Sequence, residues 1–171
     1  VQAEVCIRDA QESLGLGDVY KCQVLNPAPA QDLPADLLRA VAYLTPNETE
    51  AQLLTGIPVV DVASARRAAA QLLERGPQAV VITLGEKGAL LATKEKTVHV
   101  PGFAVQPVDT VAAGDAVNGA LATKIAQGAA LEEAVRFANA VGAITVTRPG
   151  AIPSLPTAVE VAEFLREVET A

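Results

Sequence analysis

A helix-type stretch followed at once by a buried-strand run constrains the fold more than any other feature of this chain. Residues 62–75 have helical composition, Gly76 provides a stop, and the apolar run AVVITLG begins at Ala79. Near-continuous apolar runs of this kind are typical of strands buried in parallel sheets. The pattern therefore predicts an α/β fold with a mostly parallel sheet flanked by helices.

Other segments extend this alternation. CQVLN predicts a strand that ends at Asn26 before two prolines, DLLRAVAYL a short helix leading into a strand, and TPNETEAQLLTG a helix closed by Gly56. GALLAT and KTVHVPG predict an antiparallel hairpin at the sheet edge, joined across residues 94–96. The segment RDAQESLGLGDVY predicts a short helix over residues 8–16, although its apolar spacing is poor and the segment contains two glycines.

Three helical stretches complete the chain. In the first, which begins near Ala113 and ends at Gly128, a predicted buried face consists of Val117, Leu121 and Ile125. The last helix begins with a capping-box pattern, and its predicted apolar face consists of Val161, Phe164, Leu165 and Val168.

Composition bounds the class of protein. The 171 residues are half hydrophobic, which predicts one soluble globular domain. A net charge of -7 argues against nucleic-acid and anionic-membrane partners, and no apolar run reaches the roughly 20 residues that cross a bilayer. Cys6 and Cys22 are interpreted as reduced thiols, so we expect a cytoplasmic protein.

The start of the chain suggests an incomplete sequence. There is no methionine, and the first residues, VQAEV, have the pattern of a strand interior. We expect that an amino-terminal part precedes them in the complete protein.

The stretch DTVAAGDAVNGAL surrounds one carboxylate with very small residues where a helix begins. Asp115 is predicted in the first helical turn, where free amides and the helix dipole attract anions. Small side chains at Ala112, Ala113 and Gly114 would let a phosphate approach, and Asp115 could then take a proton from an attacking hydroxyl. The alternative is that Asp115 only complements the helix dipole, and the spacing alone leaves both interpretations open.

Five motifs in a fixed order identify a resemblance. NPAP, TPNETEA, VITLGEKG, DTVAAGDAVNGAL and VTRPGAIPS resemble, in order and spacing, the ribokinase-like family of sugar and nucleoside kinases. The similarity covers the chain from Asn26 to its end and extends weakly back to Val1. It implies a three-layer α/β fold with a mostly parallel sheet flanked by helices. It also implies that residues 1–171 are the carboxy-terminal, ATP-binding and catalytic half of a single ribokinase-like domain, whose amino-terminal part and lid sheet are missing.

The resemblance also assigns roles to residues. Asp115 would be the catalytic base and contact the sugar, and the amides from Ala112 through Ala113 and Gly114 to Asp115 would hold the transferring phosphate. Glu50 would bind magnesium through water, and Glu4 would contact the sugar. The residues that would bind ATP are Asn47, Thr83, Gly85 and Asn139.

The sequence alone also supports purely structural roles for several polar residues. Asn47 has the position of a helix cap, and Asn139 has that of an exposed helix residue. Lys87 is interpreted as a solvated loop lysine, and His99, the sole histidine, as structural.

A monovalent-cation site, for potassium, is a further implication of the resemblance. Its ligands would be one carboxylate, several backbone carbonyls and a hydroxyl, from Asp109, Val111, Thr145, Arg148, Gly150 and Ser154. The alternative is that Pro149, Gly150 and Pro153 simply form an irregular loop.

Two functions remain open. The first is ATP-dependent phosphorylation of a sugar hydroxyl in the complete protein, with ATP, Mg²⁺ and K⁺, D-ribose being favoured over other sugars or nucleosides. The second is a nucleotide-binding fragment without kinase turnover. The resemblance implies a homodimer formed through the lid, and the sequence contains no Walker-type phosphate loop.

Overall fold

A six-stranded sheet forms the scaffold of the chain. The computed structural model describes residues 5–6 and 23–170. The strands follow one another in the sheet in chain order, and they are β1 (Val5–Cys6), β2 (Gln23–Leu25), β3 (Tyr43–Leu44), β4 (Ala79–Thr83), β5 (Ala89–Thr93) and β6 (Thr97–Val100).

The sheet is mixed. β1 pairs antiparallel with β2, whereas β2 with β3 and β3 with β4 pair in parallel, with Leu25 opposite Leu44 and Leu44 opposite Val80. β5 and β6 are sheet neighbours joined by only three residues, and a connection that short requires an antiparallel hairpin. The predicted α/β fold and the predicted hairpin are therefore confirmed, but the described strand pairs form a mixed sheet where a mostly parallel one was predicted.

Six α-helices accompany the strands among the described residues: α1 (Ala35–Ala40), α2 (Glu48–Thr55), α3 (Val62–Glu74), α4 (Ala113–Ala126), α5 (Leu131–Val146) and α6 (Ala158–Thr170). Their contacts, with those of the strands, divide the chain into two compact units. Of the described residues, the first unit contains those up to residue 83 and residues 90–97, and the second contains residues 84–89 and 98–170.

The first unit packs α1, α2 and α3 with the parallel strands. Leu38, Leu44, Leu72, Val80 and Ile82 are fully buried in it. α2 and α3 each begin with a capping box and α2 ends at Gly56, whose φ of 73° is left-handed. These helices begin and end where the sequence predicted, because caps and stops are local features.

The second unit packs α4, α5 and α6 around a small core. Ala116, Ala140, Val141, Ile144 and Val161 form this core. Phe103 and Phe164 pack against this core. Their two rings contact each other edge to face, with ring centroids 5.2 Å apart.

Two predicted helix faces are only partly correct. On α4 the buried residues are Ala116, Leu121 and Ala122, whereas Val117 and Ile125 are half-buried. On α6 Val161 is buried, but Val168 is 44% exposed.

Several predictions fall on parts of the chain that the structure does not describe. The helix over residues 8–16, Glu4, Cys22 and the side chain of Cys6 lie outside the described residues. Among the helices that the structure describes, none combines the length and the apolar character needed to cross a membrane.

Candidate functional site

In the first unit, polar side chains gather at the carboxyl edge of the parallel strands. Asn47 follows β3 and forms a parallel bridge with Thr83 at the end of β4. The Thr83 amide donates to the Pro46 carbonyl at 3.0 Å. Ligands bind at this edge in parallel α/β sheets, so Asn47 and Thr83 lie where a nucleotide site is expected.

Asn47 and Glu50 hold each other in place at the start of α2. Asn47 Oδ1 accepts the Glu50 amide at 2.8 Å, and Glu50 Oε2 accepts the Asn47 amide at 2.8 Å. The predicted helix cap is thus confirmed, and Glu50 is buried, with 6% of its surface exposed. A buried carboxylate held in this way suits a cation or ordered water, so the cap does not compete with a magnesium role.

Asn26 is a polar residue at the same edge to which the sequence assigned no chemistry. It directly follows β2, and its Oδ1 is buried without a hydrogen-bond partner in the part of the chain that the structure describes. Such an acceptor is costly unless a water or a ligand supplies a donor. The signal available in the sequence was its position immediately after a predicted strand.

In the second unit, a tight turn follows β4. Gly85–Lys87 is a single 3-10 turn in which Gly85 has a φ of 56°, and the Gly88 amide donates to the Gly85 carbonyl at 3.1 Å. His99 Nε2 lies 2.7 Å from the Lys87 carbonyl oxygen. Gly85 is therefore part of an ordered turn at the end of a strand.

Asn139 is buried rather than exposed. Its Nδ2 donates to the carbonyls of Val100 at 3.1 Å and Pro101 at 3.2 Å. The exposed position inferred from the helical pattern is wrong, because α5 is buried on all sides from residue 138 to residue 145. A contact between Asn139 and adenine stays a prediction.

The start of α4 has the features expected of an anion site. Asp115 is exposed in the first turn. Among the described residues, the amides of Ala112, Gly114 and Asp115 make no backbone hydrogen bond, and the Ala113 amide makes one long bond of 3.3 Å to Thr110. Apart from its chain neighbours and the backbone of its own helix, a Cβ added to Gly114 would meet no described residue within 4 Å. Unpaired amides beside open space are what a phosphate requires.

Ala112 holds this helix start in an unusual conformation. Its φ of 62° is left-handed, and it is the one non-glycine residue with positive φ among those described. An L-residue there costs roughly 1–2 kcal/mol. Strained backbone of this kind clusters at functional sites.

Replacing Ala112 with Gly should therefore stabilise the protein. Removal of the strain is partly offset by the extra unfolded-state entropy of glycine, roughly 0.5–1 kcal/mol, so we expect a net gain of about 0.5–1 kcal/mol. The control is Ala113→Gly, which puts glycine in a normal helical position of α4 and should destabilise. Urea unfolding measures both, and a loss of stability in both variants would contradict the strain at Ala112.

Asn118, which lies one helical turn further along α4, supports the first turn of this helix. Its Nδ2 donates to the Gly114 carbonyl at 2.9 Å, and its Oδ1 is buried without a partner among the described residues. The sequence assigned Asn118 no role. The four-residue spacing to Gly114 was the available signal.

Three of the predicted cation ligands are brought together by the Asp109 carboxylate. Asp109 Oδ1 accepts the Val111 amide at 3.0 Å, and Oδ2 accepts the Gly150 amide at 2.9 Å. The Val111 hydrogen bond, followed by that of Gly150, holds the pKa of Asp109 below its usual range. Asp109 is thus charged near neutral pH.

The remaining predicted cation ligands lie after α5 or at its end. The Arg148 amide donates to the Thr145 carbonyl at 3.2 Å, and the buried Ser154 hydroxyl donates to the Ala151 carbonyl at 2.6 Å. Ser154 is thus directed at a neighbouring loop carbonyl and makes no hydrogen bond to the other predicted ligands described. The part of the chain that the structure describes holds no cluster of three His, Cys, Asp or Glu residues suited to a metal.

An ion pair anchors the loop after α5. Arg148 Nη2 donates to Glu160 Oε1 at 2.6 Å, and Glu160 Oε2 accepts the Thr157 amide at 2.6 Å, as the predicted capping box requires. The Thr157 amide, with the Arg148 guanidinium, lowers the pKa of Glu160 to about 2. Glu160 therefore stays charged and tied to Arg148 through the neutral range.

Comparison with known proteins gives this geometry a family. The profile of the pfkB family carbohydrate kinases matches residues 2–158. A ribokinase from Haemophilus influenzae is 48% identical over 142 residues, which are 83% of this chain and 46% of that protein. A deoxyribokinase from Salmonella typhi is 37% identical over 167 residues, 96% of this chain and 55% of that protein.

Solved structures give the same result. The structure of Arabidopsis thaliana ribokinase complexed with ribose and ATP has a TM-score of 0.79 and 34% identity, covering 84% of this chain and 47% of that chain. The ribokinase-like α/β fold implied by the motifs is confirmed by this likeness. The chain spans about half the length of the relatives it matches. Because the family profile covers most of its residues, the chain belongs to the pfkB family of carbohydrate kinases.

Proposed function

We propose that the complete protein transfers the γ-phosphoryl group of ATP to a sugar hydroxyl, with D-ribose as substrate and D-ribose 5-phosphate as product. The observation that carries this proposal is the start of α4, where exposed Asp115 adjoins unpaired amides and open space at Gly114. Membership of a carbohydrate kinase family and the ribokinase names of its relatives support the reaction class.

Asp115 would act as the general base. Its carboxylate would accept the proton of the attacking sugar hydroxyl as that oxygen bonds to the γ-phosphorus, while the bond from phosphorus to the bridging oxygen of ADP breaks. The amides of Gly114 and Asp115, with that of Ala112, would donate to the phosphate oxygens. The exposed position of Asp115 in the first turn suits this role.

The nucleotide would be bound by the residues that the resemblance implies. Asn47 follows β3 and forms a parallel bridge with Thr83 at the end of β4, and Gly85 lies in the turn after β4. Asn139 would flank the base. That residues 1–171 form the ATP-binding half of one domain, and that the complete protein is a homodimer, stay predictions.

Magnesium fits the donor set at Glu50. This buried carboxylate and the neighbouring Asn47 amide oxygen are the hard oxygen groups that hold a hydrated Mg²⁺. A bound Mg²⁺ would neutralise charge on the phosphates. Glu50 would hold it through water, and Asn47 would orient that water.

Potassium fits the donor set at Asp109. One charged carboxylate, fixed by the Val111 and Gly150 amides, stands with loop carbonyls of the same segments. Such a singly charged, carbonyl-rich set suits a weakly hydrated monovalent cation. The ion would add positive charge near the start of α4. Its remaining ligands would be Val111, Thr145, Arg148, Gly150 and Ser154.

The sugar itself is the open choice. The Salmonella typhi relative, which aligns with 96% of this chain, is named deoxyribokinase, so 2-deoxy-D-ribose is the second candidate. Other sugars and nucleosides are further candidate substrates. A nucleotide-binding fragment without turnover remains the alternative for residues 1–171 taken alone.

We expect sugar-dependent ADP release from the complete protein with ATP, Mg²⁺ and K⁺. The assay compares D-ribose, 2-deoxy-D-ribose and no sugar, for the complete protein and for residues 1–171 alone. Replacing K⁺ with tetramethylammonium should lower the rate of ADP release, because that ion is too large to bind the Asp109 carboxylate and the loop carbonyls together. ADP release that no sugar increases, with the complete protein, would contradict the proposal.

A further inference from the structure

The imidazole of His99 makes a contact that the proposed function does not use. His99 lies on β6, and its Nε2 is 2.7 Å from the Lys87 carbonyl oxygen. A carbonyl only accepts hydrogen bonds, so Nε2 carries the proton and the tautomer is fixed. His99 therefore donates a hydrogen bond into the turn that follows β4.

Backbone hydrogen bonds within residues 84–88 hold that turn, and the Gly88 amide donates one of them to the Gly85 carbonyl. The Lys87 amide donates to the Leu84 carbonyl at 3.1 Å, and the Leu84 amide donates to the Gly88 carbonyl at 2.8 Å. Both Gly85 and Gly88 have positive φ, at 56° and 91°. A turn that contains two glycines with positive φ has many alternative conformations in the unfolded chain, so contacts from outside the turn add to its fixation.

Outside contacts come from the segment that follows His99. A Cβ on Gly88 would lie 2.3 Å from the Gly102 nitrogen and 2.3 Å from the Val100 oxygen. A Cβ on Gly102 would lie 2.3 Å from the Glu86 oxygen. The two backbones are thus in direct contact, which only glycine at both positions permits.

Asn139 fixes the same segment from α5. Its amide donates to the Val100 and Pro101 carbonyls, the two residues directly after His99. Residues 99–102 therefore contact both Asn139 and the turn. Since Asn139 anchors this segment, the position of the His99 imidazole relative to Lys87 is set by the fold.

We infer that His99 is a positioning residue for the nucleotide site: its Nε2–H holds the Lys87 carbonyl and with it the Gly85–Gly88 turn. The inference rests on the proposed function, in which this turn borders ATP. Fixing the turn before ATP arrives lowers the ordering cost of binding. Loss of the hydrogen bond should thus weaken ATP binding and leave the chemical step unchanged.

Two amide substitutions separate this role from simple packing. In His99→Gln the side-chain nitrogen occupies the place of Nε2 and keeps the donor, whereas in His99→Asn it occupies the place of Nδ1 and falls short. For His99→Asn in the complete protein, we expect KM for ATP to rise about five- to tenfold, the equivalent of one net hydrogen bond. His99→Gln should stay within about twofold of the original protein, and kcat and the sugar KM should not change in either.

The ATP dissociation constant, measured by calorimetry without sugar, gives a readout independent of turnover. If the original protein binds ATP but shows no sugar-dependent turnover, the proposed function fails, whereas a weaker ATP affinity of His99→Asn alone still supports the inference. Equal ATP affinities for the two variants would overturn it. So would a loss confined to thermal stability, a fall in kcat, or no binding of ATP by the original protein.

Discussion

Replacing Asp115 with Asn should lower kcat of the complete protein at least about a hundredfold, while the dissociation constant for ATP changes less than about twofold. Asparagine has the shape of aspartate but cannot accept the proton of the attacking hydroxyl, and loss of a general base costs roughly 10²–10⁴ in rate. Asp115 is exposed in the first turn of α4, so the substitution should leave the fold intact.

The matched control is Glu133→Gln. Glu133 is also an exposed acidic residue in the first turn of a helix, α5, where its charge complements the helix dipole. Both substitutions remove one such charge, but only Asp115→Asn removes the proposed base. Steady-state turnover and calorimetric ATP binding measure both variants.

Near-original turnover of Asp115→Asn would remove Asp115 from the mechanism. It would leave the other interpretation of the sequence, in which Asp115 only complements the dipole. A comparable fall in kcat for Glu133→Gln would show that helix stability, and not proton transfer, limits the reaction.

The fold of this chain could be predicted where local rules are strong. AVVI is apolar throughout and forms β4 together with the half-buried Thr83, and its residues are buried as those of parallel-sheet strands are. Asn47 and Gly56 begin and end α2, because a cap and a left-handed stop act within one turn. Neither feature depends on distant residues.

The buried face of α4 could not be predicted in the same way. This helix is rich in alanine, so its pattern has no single apolar stripe, and packing against α5 selects Ala116, Leu121 and Ala122. The contact is close: a Cβ on Gly142 would lie 2.7 Å from Val117 Cγ2. Which small residues meet across such a contact is decided by tertiary packing.

The candidate site also contains some features that could be predicted from local sequence and others that could not. Asp115 and the small residues before it are consecutive in the sequence. The place of Asp115 in the first turn of α4 could therefore be predicted. The burial of Asn139 depends on carbonyls at Val100 and Pro101, which are 39 and 38 residues away along the chain. The contact of His99 with Lys87 is also long-range, so the pattern could indicate only a structural residue.

The second large effect is expected at Gly114. Ala112 and Ala113 already carry methyl groups, so Gly114 is the position at this helix start where a missing side chain leaves open space. Gly114→Ala should fill that space and lower kcat/KM for ATP at least about tenfold, since one displaced donor in an anion hole costs 10²–10³. The variant should still fold, because the added Cβ meets no protein atom within 4 Å.

Gly119→Ala is the control that isolates this effect. Gly119 lies in the interior of the same helix, and a Cβ there also meets nothing within 4 Å. Alanine should raise the stability of α4 by about 0.5–1 kcal/mol at Gly119 and by no more than that at Gly114. Both variants thus gain or keep stability, whereas only Gly114→Ala should lose activity.

Urea unfolding and initial rates at varied ATP separate the possible causes. A loss of kcat/KM in a Gly114→Ala protein that is at least as stable as the original places the phosphate against the Gly114 backbone. Full activity of Gly114→Ala would mean that the phosphate does not use this space. Equal losses at Gly114 and Gly119 would instead attribute the effect to stiffening of α4, because both substitutions restrict the same helix.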